Sequence, residues 1–248
     1  MSSRSGLASR SGGNGIAAPA AAENNLIGKL PANELAAFLE RAEKVSCDLR
    51  ENVFEINEPF ERVMFQISGM GSIVTVLKDG TTLEAQTVGR EGFFGLPLFH
   101  GLRTARSKGM CQIEGEFYQL KPDDFLSLLK VAPVLVTILH RYSQFSNEAV
   151  AQTAACNSMH LIEQRCARWL LTTADAVGRK DFNLTQEFLS QMLAVRRPGV
   201  TVAIGGLQRQ GLIEHRYGKV SLADREGLKK VSCECYQTVR DKLHELLG

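Results

Sequence analysis

The longest apolar stretches of this 248-residue chain, such as Val131 to Leu139, are short and interrupted by polar residues. A membrane span needs roughly 20 apolar residues, so no membrane partner is expected. No secretory leader is expected either. Met1 to Asn25 is rich in Ser, Gly and Ala, carries Arg4 and Arg10 and no acid before Glu23, and has no continuous apolar core. Residues 1–24 are therefore expected to form a disordered tail. With no export signal expected, the six cysteines (Cys47, Cys111, Cys156, Cys166, Cys233 and Cys235) are expected to be reduced thiols in a cytoplasmic protein rather than a disulfide framework.

Catalytic motifs are absent as well. The strand-rich region Val45 to Leu120 contains only His100, whereas a metal-dependent β-roll enzyme needs clustered His and Glu ligands. There is no nucleophile motif and no Gly-rich phosphate loop with Lys, so the chain is not expected to be an enzyme. His100, His140, His160, His215 and His244 are scattered and form no recognisable ligand pair. Cys233-Glu234-Cys235 has one residue between its thiols, too few for a CxxC redox or zinc motif, and is assigned to packing. No metal site is expected. Charge of one sign is also lacking, with a net charge of only +2. Its distribution says more: from Met159 onward 14 Lys and Arg face 10 Asp and Glu, so the positive end is the expected nucleic-acid contact.

What is present divides the chain. Leu26, Ile27, Leu30, Leu35, Phe38 and Leu39 have helical spacing, interrupted by Pro31. Short strand-like runs then follow, at Val53–Ile56, Val63–Ile67, Ile73–Leu77, Thr82–Val88, Lys108–Ile113 and Glu116–Leu120. Asp79-Gly80 supplies a tight hairpin signal between two of them. The expected fold is α+β, with an antiparallel β roll over residues 25–132. Pro133 suits the first turn of a helix, and no Pro or Gly recurs before Gly178. Leu135, Ile138, Tyr142, Phe145 and Ala149 recur at three- and four-residue steps, the pattern of a two-helix dimer seam over residues 133–158. A helix lying on its own β domain has the same spacing. The length, roughly 37 Å at 1.5 Å per residue, favours the homodimer.

The region 159–248 carries the DNA-reading signature. Thr185 suits an N-cap for a short helix ending near Leu193, Ala194-Val195 makes a turn, and Arg197 to Gln208 forms a second helix with Pro198 in its first turn. Two strands around Arg216-Tyr217-Gly218-Lys219 form a wing with a basic tip. A recognition helix reads bases with its N-terminal side chains, which nominates Arg197 for guanine and Thr201 for a base edge or methyl in double-stranded DNA. Thr185, Arg196, Arg209, Arg216 and Lys219 are nominated for the DNA backbone. A ligand-binding or scaffolding protein without direct DNA readout is the alternative.

Leu184-Thr185-Gln186-Glu187-Phe188-Leu189, Met192 to Arg197, Gly211-Leu212-Ile213 and Val88 to Gly95 together resemble the Crp/Fnr superfamily of bacterial transcription regulators, across nearly the whole chain from about Asn25. The resemblance implies a cyclic-nucleotide-binding-like roll, a long dimer helix, a winged helix, and RNA polymerase and a small-molecule effector as further partners. Family recognition helices typically begin Arg, then Glu, then a second Arg; here Arg197 is kept, and Pro198 and Val202 take the other places. In the cyclic-nucleotide loop Gly95 is followed by Leu96-Pro97 rather than Glu-Leu, while Arg103-Thr104-Ala105 resembles the phosphate element. Gly95, Arg103, Thr104 and Ala105 are thus the candidate effector pocket. The base-recognising pair falls on Val150-Ala151, and cyclic AMP is not expected as the ligand. Met1 to Asn25 has no cysteine, so an iron–sulfur cluster is not expected. The effector is left unknown.

Overall fold

The computed structural model describes residues 23–248; the expected tail, through position 22, lies outside them. The described residues already include Asn24, which the expected tail took in. Its amide donates to the Gln66 and Gly92 carbonyls at 2.9 and 3.0 Å, and its Oδ1 accepts from the backbone of Leu26 and Ile27. A short 3₁₀ turn at Ile27–Lys29 leads to α1 (Ala32–Leu39), which begins after Pro31.

The roll contains β1 (Glu43–Cys47), β2 (Asn52–Phe54), β3 (Val63–Gln66), β4 (Met70–Val76), β5 (Thr82–Val88) and β6 (Phe93–Phe94). The one-turn helix α2 (Leu96–Phe99) then precedes β7 (Lys108–Ile113) and β8 (Gly115–Leu120). They form two antiparallel sheets, ordered β1-β8-β3-β6 and β2-β7-β4-β5. The β4–β5 turn is longer than the two-residue turn expected. Leu77 N–H donates to the Thr81 carbonyl at 2.8 Å, and Gly80 takes the left-handed φ of 82°. Between the sheets, phenylalanines fill the interior: Phe54 meets Phe60 and Phe94 with ring centroids 5.1 and 6.1 Å apart, and Phe94 meets Phe117 at 6.3 Å. Gly109 and Gly71 make room for them. A Cβ at either position would fall within 2.5 Å of a carbon of the Phe54 or Phe94 ring.

After α3 (Pro122–Leu129) the chain enters α4 (Pro133–Met159), 27 residues long. Pro133 leaves no N–H to satisfy in the first turn, and a carboxylate from elsewhere serves the next two donors: buried Glu34 of α1 accepts from Val134 and Leu135 N–H at 3.0 and 2.9 Å. A negative group at the positive end of the helix dipole adds to that stability.

The face of α4 expected to pair with a second copy is occupied within the chain. Leu135, Ile138, Tyr142, Phe145 and Ala149 are at most 7% exposed and belong to the roll's own core. The spacing was read correctly as one apolar stripe, but periodicity does not say what covers it, and the roll does. The outward side carries Asn147, Val150, Ala151, Ala154, Ala155 and Ser158, small or polar residues that are exposed.

Beyond α4 come α5 (Ile162–Val177), β9 (Asp181–Asn183), α6 (Gln186–Met192), α7 (Arg197–Arg209), β10 (Ile213–Arg216), β11 (Lys219–Leu222), α8 (Arg225–Val231) and α9 (Cys235–Leu247). Gly178, in the left-handed conformation, ends α5. Trp169, Leu170, Phe182, Leu189, Val200, Ile204, Leu207 and Val220 build a second core, which Met70 and Ile113 of the roll also enter. The last helix returns to the first unit: α9 lies along α4, and Leu247 is buried in the roll's core. Among the described residues no helix is long and apolar enough to cross a membrane.

Candidate nucleic-acid interface

Thr185 caps α6, its hydroxyl oxygen accepting from Phe188 N–H at 3.2 Å. The turn that follows is tight: Ala194 has φ 51°, a left-handed conformation uncommon outside glycine, and Val195 N–H donates to the Ser190 carbonyl at 3.0 Å. This turn directs α7 outward. Val200, Ala203, Ile204 and Leu207 face the second core, while Arg197, Pro198, Thr201, Val202, Gln208 and Arg209 are exposed. Gly206 faces α5, where a Cβ would meet the Glu163 carboxylate, itself held by the Gln210 amide at 2.9 Å. Gly206 thus lets the two helices approach, whereas a Cβ at Gly205 would meet only the Arg209 side chain of its own helix.

The wing is a regular hairpin whose strands run one residue pair further than expected, to Arg216 opposite Lys219. Its tip is Tyr217-Gly218, with φ of 50° and 73°, the doubly positive turn that matches strand twist. β9 adds a third strand beside β11.

Apart from Thr185, which caps α6, the nominated residues lie on α7 and the wing. Arg196 and Arg197 stand at the start of α7, Arg209 at its end, and Arg216 and Lys219 at the wing, all exposed. Among the described residues the four arginines form no ion pair, whereas Lys219 pairs with Asp181 at 2.8 Å. The Thr201 hydroxyl is engaged with Gln186 Oε1 at 2.8 Å and the Arg197 carbonyl at 3.1 Å. Gln186 was not nominated from sequence, and only the fold brings it beside Thr201.

Residues 164–231 match the model of the Crp-like helix-turn-helix domain. The chain carries a Crp-like helix-turn-helix. It is 26% identical over 180 residues to the transcriptional regulator SdrP of Thermus thermophilus, covering 70% of this chain and 85% of that protein. FixK2 from Bradyrhizobium japonicum superposes with a TM-score of 0.65 at 17% identity, over 77% of this chain and 98% of that one. A CRP-family transcriptional regulator from Thermus thermophilus gives 0.65 at 21% identity, over 76% and 96%. The chain has the fold of the Crp/Fnr regulators, and its relatives are transcription regulators rather than enzymes. Its helix-turn-helix is of the Crp-like type, the part of the chain that the family model covers.

On this Crp-type fold none of the candidate effector residues Gly95, Arg103, Thr104 and Ala105 lines the cavity at the junction of roll and helices. Ala105 is buried, Thr104 bridges to Pro59, and exposed Arg103 pairs with Asp123 at 3.1 Å. Gly95 packs on Val63, where a Cβ would come within 2.8 Å of a methyl group. That cavity, of about 710 Å³, lies where the roll meets α4, α5 and α9, and Glu84, Arg168, Trp169, Asp175 and Arg240 are among its lining residues.

That junction is polar and buried. Glu84 accepts from Ser72 Oγ at 2.6 Å, Gln112 Nε2 at 2.7 Å and Trp169 Nε1 at 3.2 Å. The roll and α5 are thereby bonded to each other. Burial pushes the Glu84 carboxyl above its ordinary pKa, with the three donors and Arg168 opposing. On the far side of the junction, Arg240 and the Tyr236 hydroxyl both donate to Asp175 at 2.7 Å, and Arg225 joins them. Close by, the fold gathers Cys156, His160, Cys233 and Cys235, which the sequence reading had kept apart as packing and scattered residues. The missed signal was the four-residue step from Cys156 to His160, which puts both on one helix face.

Proposed function

We propose that this regulator acts as a homodimer on a two-fold DNA operator, with Arg197 and Thr201 at base edges and Thr185, Arg196, Arg209, Arg216 and Lys219 on the backbone. The observation that supports it is the cationic surface formed by the start of α7 and the adjacent wing, where Arg196, Arg197 and Arg216 are exposed and unpaired among the described residues. Guanidinium at the first turn of a recognition helix suits bidentate contact with guanine. Exposed Val202 offers a methyl-sized apolar contact in place of a charged reader.

The working parts are a sensor roll at 25–132, the long helix at 133–158 and a DNA-binding unit at 159–248 whose last helix reaches back to the roll. The outward face of α4, with Val150, Ala151, Ala154 and Ala155, carries the dimer contact, because the inward face is already covered. Two recognition helices then lie about 34 Å apart, one turn of DNA. A signal at the junction between roll and α5 shifts the population of winged-helix orientations.

Selection from genomic DNA is expected to enrich an inverted repeat. On the selected site, Arg197→Ala should cost about 1–3 kcal/mol and relax preference at one position, whereas Arg216→Ala should weaken all sequences alike and reduce the salt slope by about 1. Failure to bind DNA in a salt-dependent way would favour the scaffolding reading.

A further inference from the structure

Cys156 and His160 lie one turn apart at the end of α4, and Cys233 and Cys235 flank Glu234 where α8 gives way to α9. The three sulfurs and one ring nitrogen all lie within 4.8 Å of one another. Cys156 Sγ is 3.5 Å from Cys233 Sγ, and Cys235 Sγ is 3.6 Å from His160 Nδ1. A tetrahedral centre with metal–sulfur bonds of about 2.3 Å has ligand–ligand edges of about 3.8 Å, so two edges already have ligand spacing. The 3.5 Å sulfur separation is far beyond a disulfide bond of about 2.05 Å.

The surroundings match a metal site in three further respects. The thiols are buried but form a cluster of their own, separate from both hydrophobic cores. His160 Nε2 faces the Glu234 carboxylate at 3.2 Å, leaving Nδ1 toward the sulfurs. A carboxylate behind an imidazole in this way fixes the ring and its tautomer for a metal. The Gln152 amide donates to Cys235 Sγ at 3.1 Å, a bond that favours thiolate. Arg168, whose Nε is buried with no protein partner among the described residues, adds positive charge near Cys156 and Cys233.

We propose that Cys156, His160, Cys233 and Cys235 bind one zinc ion as a closed structural site that ties the end of α4 to the start of α9. Three thiolates and a neutral imidazole suit zinc in both number and softness, and four protein ligands leave no open position for catalysis. Three thiol protons leave as the ion enters, so binding strengthens with rising pH. The centre carries one net negative charge, which Arg168 offsets. This site is independent of the proposed DNA contacts.

The test uses the full chain, reduced and stripped with a chelator, then titrated with cobalt(II) and back-titrated with zinc. One equivalent per chain, the charge-transfer and d–d bands of tetrahedral cobalt thiolate, their loss to zinc and a raised melting temperature are expected. Cys233→Ser should weaken cobalt binding at least tenfold, while Cys166→Ala, whose thiol lies in the second core, should bind as wild type. His160→Cys keeps four donors and should still bind, with the spectrum of an all-sulfur site, even if Cys233→Ser does not fold. A folded, reduced wild-type chain that takes up no cobalt overturns the proposal, as does unchanged affinity in folded Cys233→Ser.

Discussion

Glu84 accepts three hydrogen bonds, yet burial holds its carboxyl above the ordinary range near 4.5. A raised folded-state pKa means that the folded chain binds the proton more tightly than the unfolded one. The resulting stability is full below pH 4.5 and is lost as pH rises through the raised value. Glu84→Gln should therefore flatten the decline in unfolding free energy above pH 4.5, as measured by urea titration at successive pH values. At the same scale, Tyr217-Gly218 was legible as a turn because glycine accepts positive φ, whereas the φ of 51° at Ala194 was not, since alanine carries no such signal.

Helix α4 separates what a pattern can and cannot tell. Its start follows from Pro133 and its continuity from the absence of Pro and Gly up to Met159, and its stripe at Leu135, Ile138, Tyr142, Phe145 and Ala149 is a true buried face. The partner of that face was misassigned because a coiled coil and a helix on a sheet share the same spacing. The two faces now have opposite expectations. Ile138→Glu should place an unpaired charge in the roll's core, costing about 3–5 kcal/mol in denaturant unfolding. Ala154→Arg should leave that stability within about 0.5 kcal/mol of wild type and lower the mass seen by light scattering, if the outward face pairs two copies. Strands β1 and β6 escaped notice for a related reason: β1 buries only Cys47 and β6 is two residues long, so neither shows a usable alternation.

Across the whole molecule, the order of roll, long helix and winged helix could be read from turn residues and from the motifs around Leu184 and Gly211. How the chain folds back on itself could not. Contacts between Lys29 and Gly248, Gln152 and Cys235, or Glu84 and Trp169 link positions 219, 83 and 85 residues apart, and no local spacing encodes them. For the same reason the four-donor cluster was invisible, although the step from Cys156 to His160 stood in plain view on one helix.

Trp169 is the chain's one tryptophan, and it lies 2% exposed at the junction of roll and winged helix. Nature has thus placed a single fluorophore at the joint through which any signal to the DNA-binding unit would pass. Its emission is free of competing indoles, and opening of the Glu84 bond should move it toward the red and admit acrylamide quenching. The orientation of the reading head can then be followed by light, without a label and before the signal is known.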